Sequence, residues 1–136
     1  MKKIKAVFDT NIWVSYFIKG NFEELVSLVY DKDVEIFRSD KLTDELVKVL
    51  GRPKFRKYFT LPLYEYVAFY EALTTLVDVN SCIFKGCRDP KDNYLFDIAR
   101  QAGAKYLVSG DNDIKETNTD GNPETISLHS FKELIK

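Results

Sequence analysis

Two short apolar runs in this chain each lead into an aspartate. Ala6-Val7-Phe8 is followed at once by Asp9, and Tyr106-Leu107-Val108 is followed by two small residues and then by Asp111. Runs of this length and composition are typical of strands buried on both faces of a sheet. Because open α/β folds build their sites at the carboxyl ends of such strands, both aspartates are candidate functional residues.

Helical patterns alternate with strand patterns along most of the chain. The alternation predicts an α/β fold with a mostly parallel central sheet of four to five strands, covered by helices on both faces. At 136 residues the chain is long enough to form one domain, residues 1–136, with a substantial core. The predicted strands are 4–8, 34–38, 105–108 and 125–128, and the predicted helices are 12–18, 22–30, 40–50, 54–59, 62–76, 90–102 and a short one capped by Ser130.

Two stretches carry little pattern. Val77 to Val79 are compatible with an extended chain, and the rest of 77–91 is typical of a loop. The segment 118–123 is polar and rich in turn-forming residues. Neither stretch indicates a function.

The predicted helix 40–50 has a single apolar stripe, and Glu45 borders it. Asp44 lies on the far face of the same helix and is expected to be solvated. Glu45 is therefore the acid of this helix that we expect to face the core. The stripe consists of Leu42, Leu46, Val49 and Leu50.

The predicted helix 90–102 allows the same test. Asp92 lies beside its apolar stripe, one turn before Leu95, whereas Asp97 is predicted to point away from the stripe. An alternative for Asp92 stays open, because Asp89 and Asp92 have the spacing of a capping box, which requires no metal. The stripe consists of Leu95, Ile98, Ala99 and Ala102.

Each of these acids also has an ordinary structural explanation. Asp9 could cap the helix that follows it, and Asp111 and Asp113 could form turns. Taken together, Asp9, Glu45, Asp92 and Asp111 would converge at one edge of the sheet. Convergent carboxylates repel one another unless they share a cation, and Mg²⁺ prefers such oxygen ligands. The pattern predicts a divalent-metal site and a metal-dependent reaction at phosphate.

The overall charge gives no general attraction to nucleic acid. The net charge is −1 and the isoelectric point is about 5.9, so a polyanion would need a local basic patch or metal ions. The segment after Gly51 is a candidate RNA-binding patch, because cations alternate there with aromatic residues. The alternative is an ordinary amphipathic helix with its aromatic residues in the core and its cations in water. The cations are Arg52, Lys54, Arg56 and Lys57.

The two cysteines give no sign of a zinc site. Cys82 and Cys87 lack a second pair of ligands, and the single histidine, His129, is distant in sequence. Two reduced thiols are the simpler interpretation. No apolar stretch is long enough for a membrane span, and no signal peptide is evident, so we expect a cytoplasmic protein.

In these segments the chain resembles the PIN-domain family of small Mg²⁺- or Mn²⁺-dependent ribonucleases. It is most similar to the bacterial branch of VapC-like toxins from toxin–antitoxin pairs. The ordered set of segments extends across almost the whole chain. The matching segments are Val7-Phe8-Asp9-Thr10-Asn11, Ser39 with Thr43-Asp44-Glu45-Leu46, Leu50-Gly51-Arg52-Pro53-Lys54-Phe55, Arg88-Asp89-Pro90-Lys91-Asp92-Asn93 with Ala99 and Gly103-Ala104, and Tyr106-Leu107-Val108-Ser109-Gly110-Asp111-Asn112-Asp113.

The resemblance implies a PIN-like three-layer fold and a role for each acid. Asp9, Asp92 and Asp111 would hold Mg²⁺ or Mn²⁺, and Glu45 would bind a second ion or orient the attacking water. Asp113 would be a further acid whose share in the metal site varies. The reaction would be hydrolysis of RNA phosphodiester bonds that leaves 5′-phosphate and 3′-hydroxyl ends.

The resemblance also implies supporting residues and partners. Asn11 and Ser109 match polar positions near the carboxylates and are expected to orient them. Ser109 departs mildly from many relatives, which have threonine there, but it keeps the hydroxyl. A cognate antitoxin protein and a homodimer are expected partners.

Two other functions remain open at this stage. A metal-dependent phosphatase of the haloacid-dehalogenase type also has an aspartate after its first strand, but it needs a second one where this chain has Asn11. A PIN-like module could instead bind RNA or a protein without cutting. Intact acids at all four positions argue against that module.

Overall fold

The computed structural model describes residues 3–79 and 83–136, and no helix within those ranges is long and apolar enough to cross a membrane. The strands are β1 (Ile4–Phe8), β2 (Val34–Arg38), β3 (Thr74–Leu76), β4 (Tyr106–Val108) and β5 (Glu124–Ile126). The α-helices are α1 (Thr10–Lys19), α2 (Phe22–Tyr30), α3 (Asp40–Leu50), α4 (Leu63–Leu73), α5 (Asn93–Ala102), α6 (Asn112–Lys115) and α7 (Leu128–Leu134). Two 3₁₀ helices occupy Pro53–Tyr58 and Pro90–Asp92.

The five strands form one parallel sheet in the order β3-β2-β1-β4-β5. The chain begins at the central strand, adds β2 and β3 on one side, and then crosses over to add β4 and β5 on the other. The direction of winding therefore reverses between β1 and β4. The carboxyl ends of strands flanking such a reversal leave a crevice in which open α/β folds bind ligands.

Both faces of the sheet are covered, because neighbouring strand residues enter different cores. Ala6 and Phe8 belong to the larger core with Trp13 of α1, whereas Val7 belongs to the second core with Leu95 of α5. The predicted α/β fold with a parallel sheet and helices on both faces is confirmed.

The predicted helix 62–76 was wrong at its carboxyl end. The helix stops at Leu73, and Thr74–Leu76 instead form β3, which pairs with β2. Arg38 reinforces the junction, since its Nη1 donates to both the carbonyl oxygen and Oγ1 of Thr74 at 3.0 Å. β-Branched threonines lose rotamer freedom in a helix, so pairing with β2 prevails there. Val77 adds one more ladder bond, from its N–H to Arg38 O at 2.8 Å, and Asp78 and Val79 are not in a strand.

The predicted end of the chain was also shifted. The last strand is Glu124–Ile126 rather than 125–128, and the final helix starts at Leu128 with Ser127 as its cap, not Ser130. Ser127 Oγ accepts from Ser130 N at 3.1 Å. Starting the helix there buries Phe131 fully, with its ring 5.8 Å from that of Phe8.

Asp97, predicted to point away from the apolar stripe of its helix, is nevertheless buried. Its side chain is 6% exposed, and Oδ1 accepts from Ile83 N at 3.2 Å and Phe84 N at 2.9 Å. Asp97 thereby attaches the segment before the second 3₁₀ helix to α5. Cys82 lies outside the described residues, and Cys87 is a half-buried free thiol whose pKa is raised by burial to about 11.

We predict that Asp97→Ala lowers the free energy of unfolding by about 2 kcal/mol, because two backbone N–H groups lose their acceptor. Urea unfolding would measure this, with Asp44→Ala as the matched control, since Asp44 is an exposed acid. Equal stability of the two variants would contradict the anchoring role of Asp97.

Candidate active site

Asp9 lies at the point where the sheet reverses its winding. It follows β1 directly, and its N–H donates to Val108 O at 2.9 Å, which draws the end of β4 alongside it. Its carboxylate is buried, with 6% of the residue exposed. The side chain does not cap α1, so the capping explanation for Asp9 is wrong.

Ser109 connects the acids at the ends of β1 and β4. This residue is fully buried, and its Oγ donates to Asp9 Oδ2 at 2.8 Å. The same Oγ accepts from Asp111 N at 3.0 Å. Asp111 Oδ1 in turn accepts from Asp113 N at 2.9 Å and caps α6. Asp111 therefore has the structural role of a turn former as well as its place in the acidic group.

Glu45 reaches the same region from α3. Its Oε2 accepts from Thr10 Oγ1 at 3.3 Å and from the hydroxyl of Tyr94 on α5. Thr10 is the residue after Asp9, and Tyr94 is two residues after Asp92. These two hydroxyls place the Glu45 carboxylate between the segments that carry the other acids.

The pKa values show that the four acids share one electrostatic environment. Burial raises the pKa of Asp92 to about 6, and the charges of Asp9, Asp89, Asp111 and Glu45 add to the rise. Burial also raises the pKa of Asp9; the hydrogen bond from Ser109 opposes this, and the charges of Glu45 and Asp111 add to it. Desolvation and like-charge repulsion therefore both oppose full ionisation of the group.

Asp92 is not the capping residue of its own segment. Asp89 Oδ1 accepts from Lys91 N at 3.0 Å and caps the second 3₁₀ helix, while Asp92 makes no side-chain capping bond. The capping-box alternative is therefore wrong for Asp92. Its half-buried carboxylate is free of hydrogen bonds to the described residues, which leaves it available to a ligand.

Two of the residues predicted from the sequence are not drawn into the acidic group. Asp113 Oδ1 lies 3.5 Å from Arg88 Nη1 in an exposed ion pair. Asn11 is exposed and its side chain makes no hydrogen bond with the described residues. The predicted metal role of Asp113 and the orienting role of Asn11 have no supporting contact among the residues described.

The donor set suits a hard divalent cation, since it consists of carboxylate oxygens. Within residues 3–79 and 83–136, however, no three acidic, histidine or cysteine side chains stand close enough to enclose one ion. The arrangement thus fits an ion held by one or two carboxylates, with waters and substrate oxygens completing its shell, as is common for Mg²⁺.

Comparison with known proteins decides the family. The sequence profile of the PIN domain matches residues 5–113. The chain belongs to the PIN-domain family. PIN domains are in general nucleases, so the acidic crevice lies on a nuclease-type fold.

One relative of this PIN domain is the uncharacterized protein MJ1680 of Methanocaldococcus jannaschii. The two are 26% identical over 116 residues, which cover 82% of this chain and 74% of the archaeal protein. No solved structure matches the chain significantly. The relative is archaeal, so the bacterial toxin branch stays a prediction.

A cleft of about 390 Å³ lies beside α5 of this PIN domain, and none of the four candidate acids lines it. Tyr94, whose hydroxyl contacts Glu45, lines it, and so do Pro90 and Asn93, which flank Asp92 in sequence. Lys41 and Lys85 line the same cleft and bring positive charge to it. The full lining is Lys41, Phe84, Lys85, Pro90, Asn93, Tyr94 and Asp97.

The basic segment Pro53–Tyr58 has the character of an amphipathic helix. Phe55 and Phe59 pack against the larger core, whereas Tyr58 is 44% exposed. The cations Arg52, Lys54, Arg56 and Lys57 are all exposed. This arrangement is what the structural alternative predicts, and contact with RNA stays a prediction.

Sequence reasoning missed Thr10 and Tyr94. Thr10 adjoins Asp9, so its position was a usable signal. Nothing in the sequence of α5 separates Tyr94 from an ordinary core aromatic, since it is 7% exposed and packs in the second core. Only the crossing of α3 and α5 reveals its contact with Glu45.

We predict that Asp92→Asn raises the free energy of unfolding of the metal-free protein at pH 7.5 by about 1 kcal/mol. This is less than the full pKa shift corresponds to, because solvent screens the half-buried carboxylate. Because the folded pKa, about 6, lies above the ordinary 3.8, the wild type loses stability as pH rises from about 4 to above 6. The Asn variant should lose less. Urea unfolding across this pH range would measure both.

Saturating Mn²⁺ should narrow the difference between the two proteins by stabilising the ionised wild type. An Asp44→Asn control should follow the wild type throughout. Parallel pH profiles for wild type and Asp92→Asn would contradict the electrostatic account.

Proposed function

We propose that this PIN domain is a Mg²⁺- or Mn²⁺-dependent endoribonuclease that hydrolyses RNA phosphodiester bonds, with Asp9, Glu45, Asp92 and Asp111 as its catalytic acids. The observation that carries the proposal is the hydrogen-bonded link at the sheet's winding reversal, where Ser109 Oγ donates to Asp9 Oδ2 and accepts from Asp111 N. Burial and the neighbouring carboxylates also raise the pKa of Asp92 to about 6. A site of mutually repelling carboxylates is costly to keep unless a cation is bound there.

The side chains divide the work as follows. One or two of the carboxylates of Asp9, Asp92 and Asp111 would hold the cation, with waters and substrate oxygens completing its shell. When bound, the cation supplies an activated water and positive charge at the phosphoryl oxygens. Ser109 keeps the buried Asp9 carboxylate oriented through its 2.8 Å hydrogen bond. Glu45 would orient the attacking water or bind a second ion through Oε1, because its Oε2 is engaged by two hydroxyls.

RNA must be held by cations, since the acids repel it. We propose that Lys41 and Lys85 contact the phosphates beside the cleaved bond, because both line the cleft that Tyr94 connects to Glu45. The exposed cations Arg52, Lys54, Arg56 and Lys57 would contact more distant phosphates.

The resemblance to VapC-like toxins extends the proposal to biology. As the toxin of a toxin–antitoxin pair, the protein would be inhibited by a cognate antitoxin and would act as a homodimer. Co-purification of a small protein encoded beside it, with loss of cleavage in the complex, is the outcome that this extension requires.

A second candidate is a PIN-like module that binds RNA or protein without cutting. The absence of three converging ligands among the described residues favours it. Asn11 stands where a haloacid-dehalogenase-type phosphatase needs an acid, so no observation supports that enzyme.

We predict that the purified protein cleaves mixed-structure RNA with Mn²⁺ or Mg²⁺, leaving 5′-phosphate ends, and that EDTA abolishes cleavage. Asp9→Asn should lower the rate by about 100-fold or more, since even partners of metal ligands are worth 10- to 100-fold. Gel analysis of end-labelled RNA would measure this.

The matched control is Asp44→Asn, an exposed acid next to Glu45, which should cleave like the wild type. Cleavage that survives Asp9→Asn would contradict the mechanism. RNA binding without cleavage under every metal condition would support the non-catalytic module.

We predict that Lys85→Ala raises the KM for RNA about 3- to 10-fold with little change in kcat. The affinity for RNA should also depend less steeply on salt concentration, by the amount expected for the loss of about one phosphate contact. Lys85 is exposed and forms no ion pair with the described residues, so its removal leaves the fold unchanged. Arg56→Ala is the comparison. A larger effect of Arg56→Ala would put the main RNA contact on the 3₁₀ helix instead.

A further inference from the structure

The contact between Tyr94 and Glu45 connects two helices that carry different acids. Glu45 lies on α3, and Tyr94 lies on α5 directly after Asp92 and Asn93. The Tyr94 hydroxyl donates to Glu45 Oε2. Glu45 is an exposed residue, whereas Tyr94 is 7% exposed. A buried, fixed donor therefore holds a carboxylate that would otherwise be free to move into solvent.

The tyrosine ring is itself fixed on two sides. It packs within the second core, and the Lys41 ammonium lies 4.9 Å from the ring centroid. Lys41 and Glu45 are four residues apart on α3, so the same face of α3 contacts both the ring and the hydroxyl. Tyr94 has few alternative positions, which makes its hydroxyl a precise donor.

Electrostatics would drive Glu45 away without such a donor. Its charge contributes to the raised pKa values of both Asp9 and Asp92, so the three carboxylates repel one another. A glutamate also loses up to about 2 kcal/mol of rotamer freedom when it is fixed. Repulsion and entropy both favour a solvated side chain, and only the hydroxyls of Thr10 and Tyr94 oppose them among the described residues.

Both hydroxyls converge on the same oxygen. Thr10 Oγ1 and the Tyr94 hydroxyl each donate to Oε2, and Oε1 has no hydrogen-bond partner among the described residues. One oxygen thus serves as the anchor, and the other is left to face a ligand. Both donors are side-chain hydroxyls, so a substitution that removes either hydroxyl also removes its hydrogen bond to Glu45.

We propose that Tyr94 is a positioning residue that fixes Glu45 by its Oε2 and so directs Oε1 toward the reacting phosphate. The role of Oε1 rests on the proposed nuclease function, whereas the fixing of Glu45 does not. The Tyr94 ring lines the cleft, whereas its hydroxyl acts only through Glu45 in this scheme.

The test is a double-mutant cycle with Tyr94→Phe and Glu45→Gln, measured both by RNA cleavage with Mn²⁺ and by urea unfolding without metal. Tyr94→Phe keeps the ring and its contact with Lys41 and removes only the hydroxyl. Tyr64→Phe is the matched control, since Tyr64 is 67% exposed and makes no hydrogen bond with the described residues.

We expect Tyr94→Phe to lower kcat about 10-fold with KM for RNA unchanged, and to have no further effect on kcat in the Glu45→Gln background. In the wild-type background, Tyr94→Phe should raise the equilibrium constant for unfolding, because the hydrogen bond to a charged acceptor is lost. In the Glu45→Gln background, the factor by which Tyr94→Phe raises that constant should be about 10-fold smaller. Tyr64→Phe should change neither quantity.

Equal loss of kcat in both backgrounds would overturn the proposal, because Tyr94 would then act independently of Glu45. Additive unfolding effects would overturn it as well, by showing that the hydrogen bond does not form. A wild type that cleaves no RNA would remove the proposed function, while the unfolding cycle would still decide whether Tyr94 fixes Glu45.

Discussion

Burial of the Asp9 carboxylate at the end of the central strand is the constraint on which the rest of the site depends. A charged group that is 6% exposed is costly unless it is hydrogen-bonded. The Ser109 hydroxyl supplies that bond, and the Asp9 N–H pairs with Val108 O, so β4 must lie beside β1. The reversal of winding between these strands brings Asp111 next to Asp9 and creates the acidic crevice.

A second set of contacts holds the remaining acids against their own repulsion. Thr10 and Tyr94 fix Glu45, and the Asp97 carboxylate attaches the segment before the second 3₁₀ helix to α5. Burial raises the pKa of Asp92, and the neighbouring carboxylates add to the rise. The fold therefore maintains a concentration of negative charge near the carboxyl ends of β1 and β4.

Most of the sheet and its helices could be predicted, because their signals are local. The predicted bounds are correct for two strands, 4–8 and 34–38, and for two helices, 22–30 and 40–50. The apolar stripe of α3 also singled out Glu45. The same reasoning failed for Asp97, because periodicity describes only one helix and could not show that the backbone of residues 83–84 would meet that carboxylate. The prediction of a helix through residues 74–76 was wrong for a similar reason, since pairing with β2 outweighed the helical pattern.

From the sequence alone, local apolar periodicity predicted the parallel α/β architecture, and an ordered set of segments resembles the PIN-domain family. Strand ends and the edges of apolar stripes also offered four candidate acids, because all of these signals belong to short segments. The tertiary structure alone decided which acids meet and how they are held. In the structure, Asp113 forms an ion pair with Arg88 outside the acidic group, and the Tyr94 hydroxyl donates a hydrogen bond to Glu45. Such contacts join residues far apart in the chain, so they depend on how helices cross over the sheet, which no local pattern encodes.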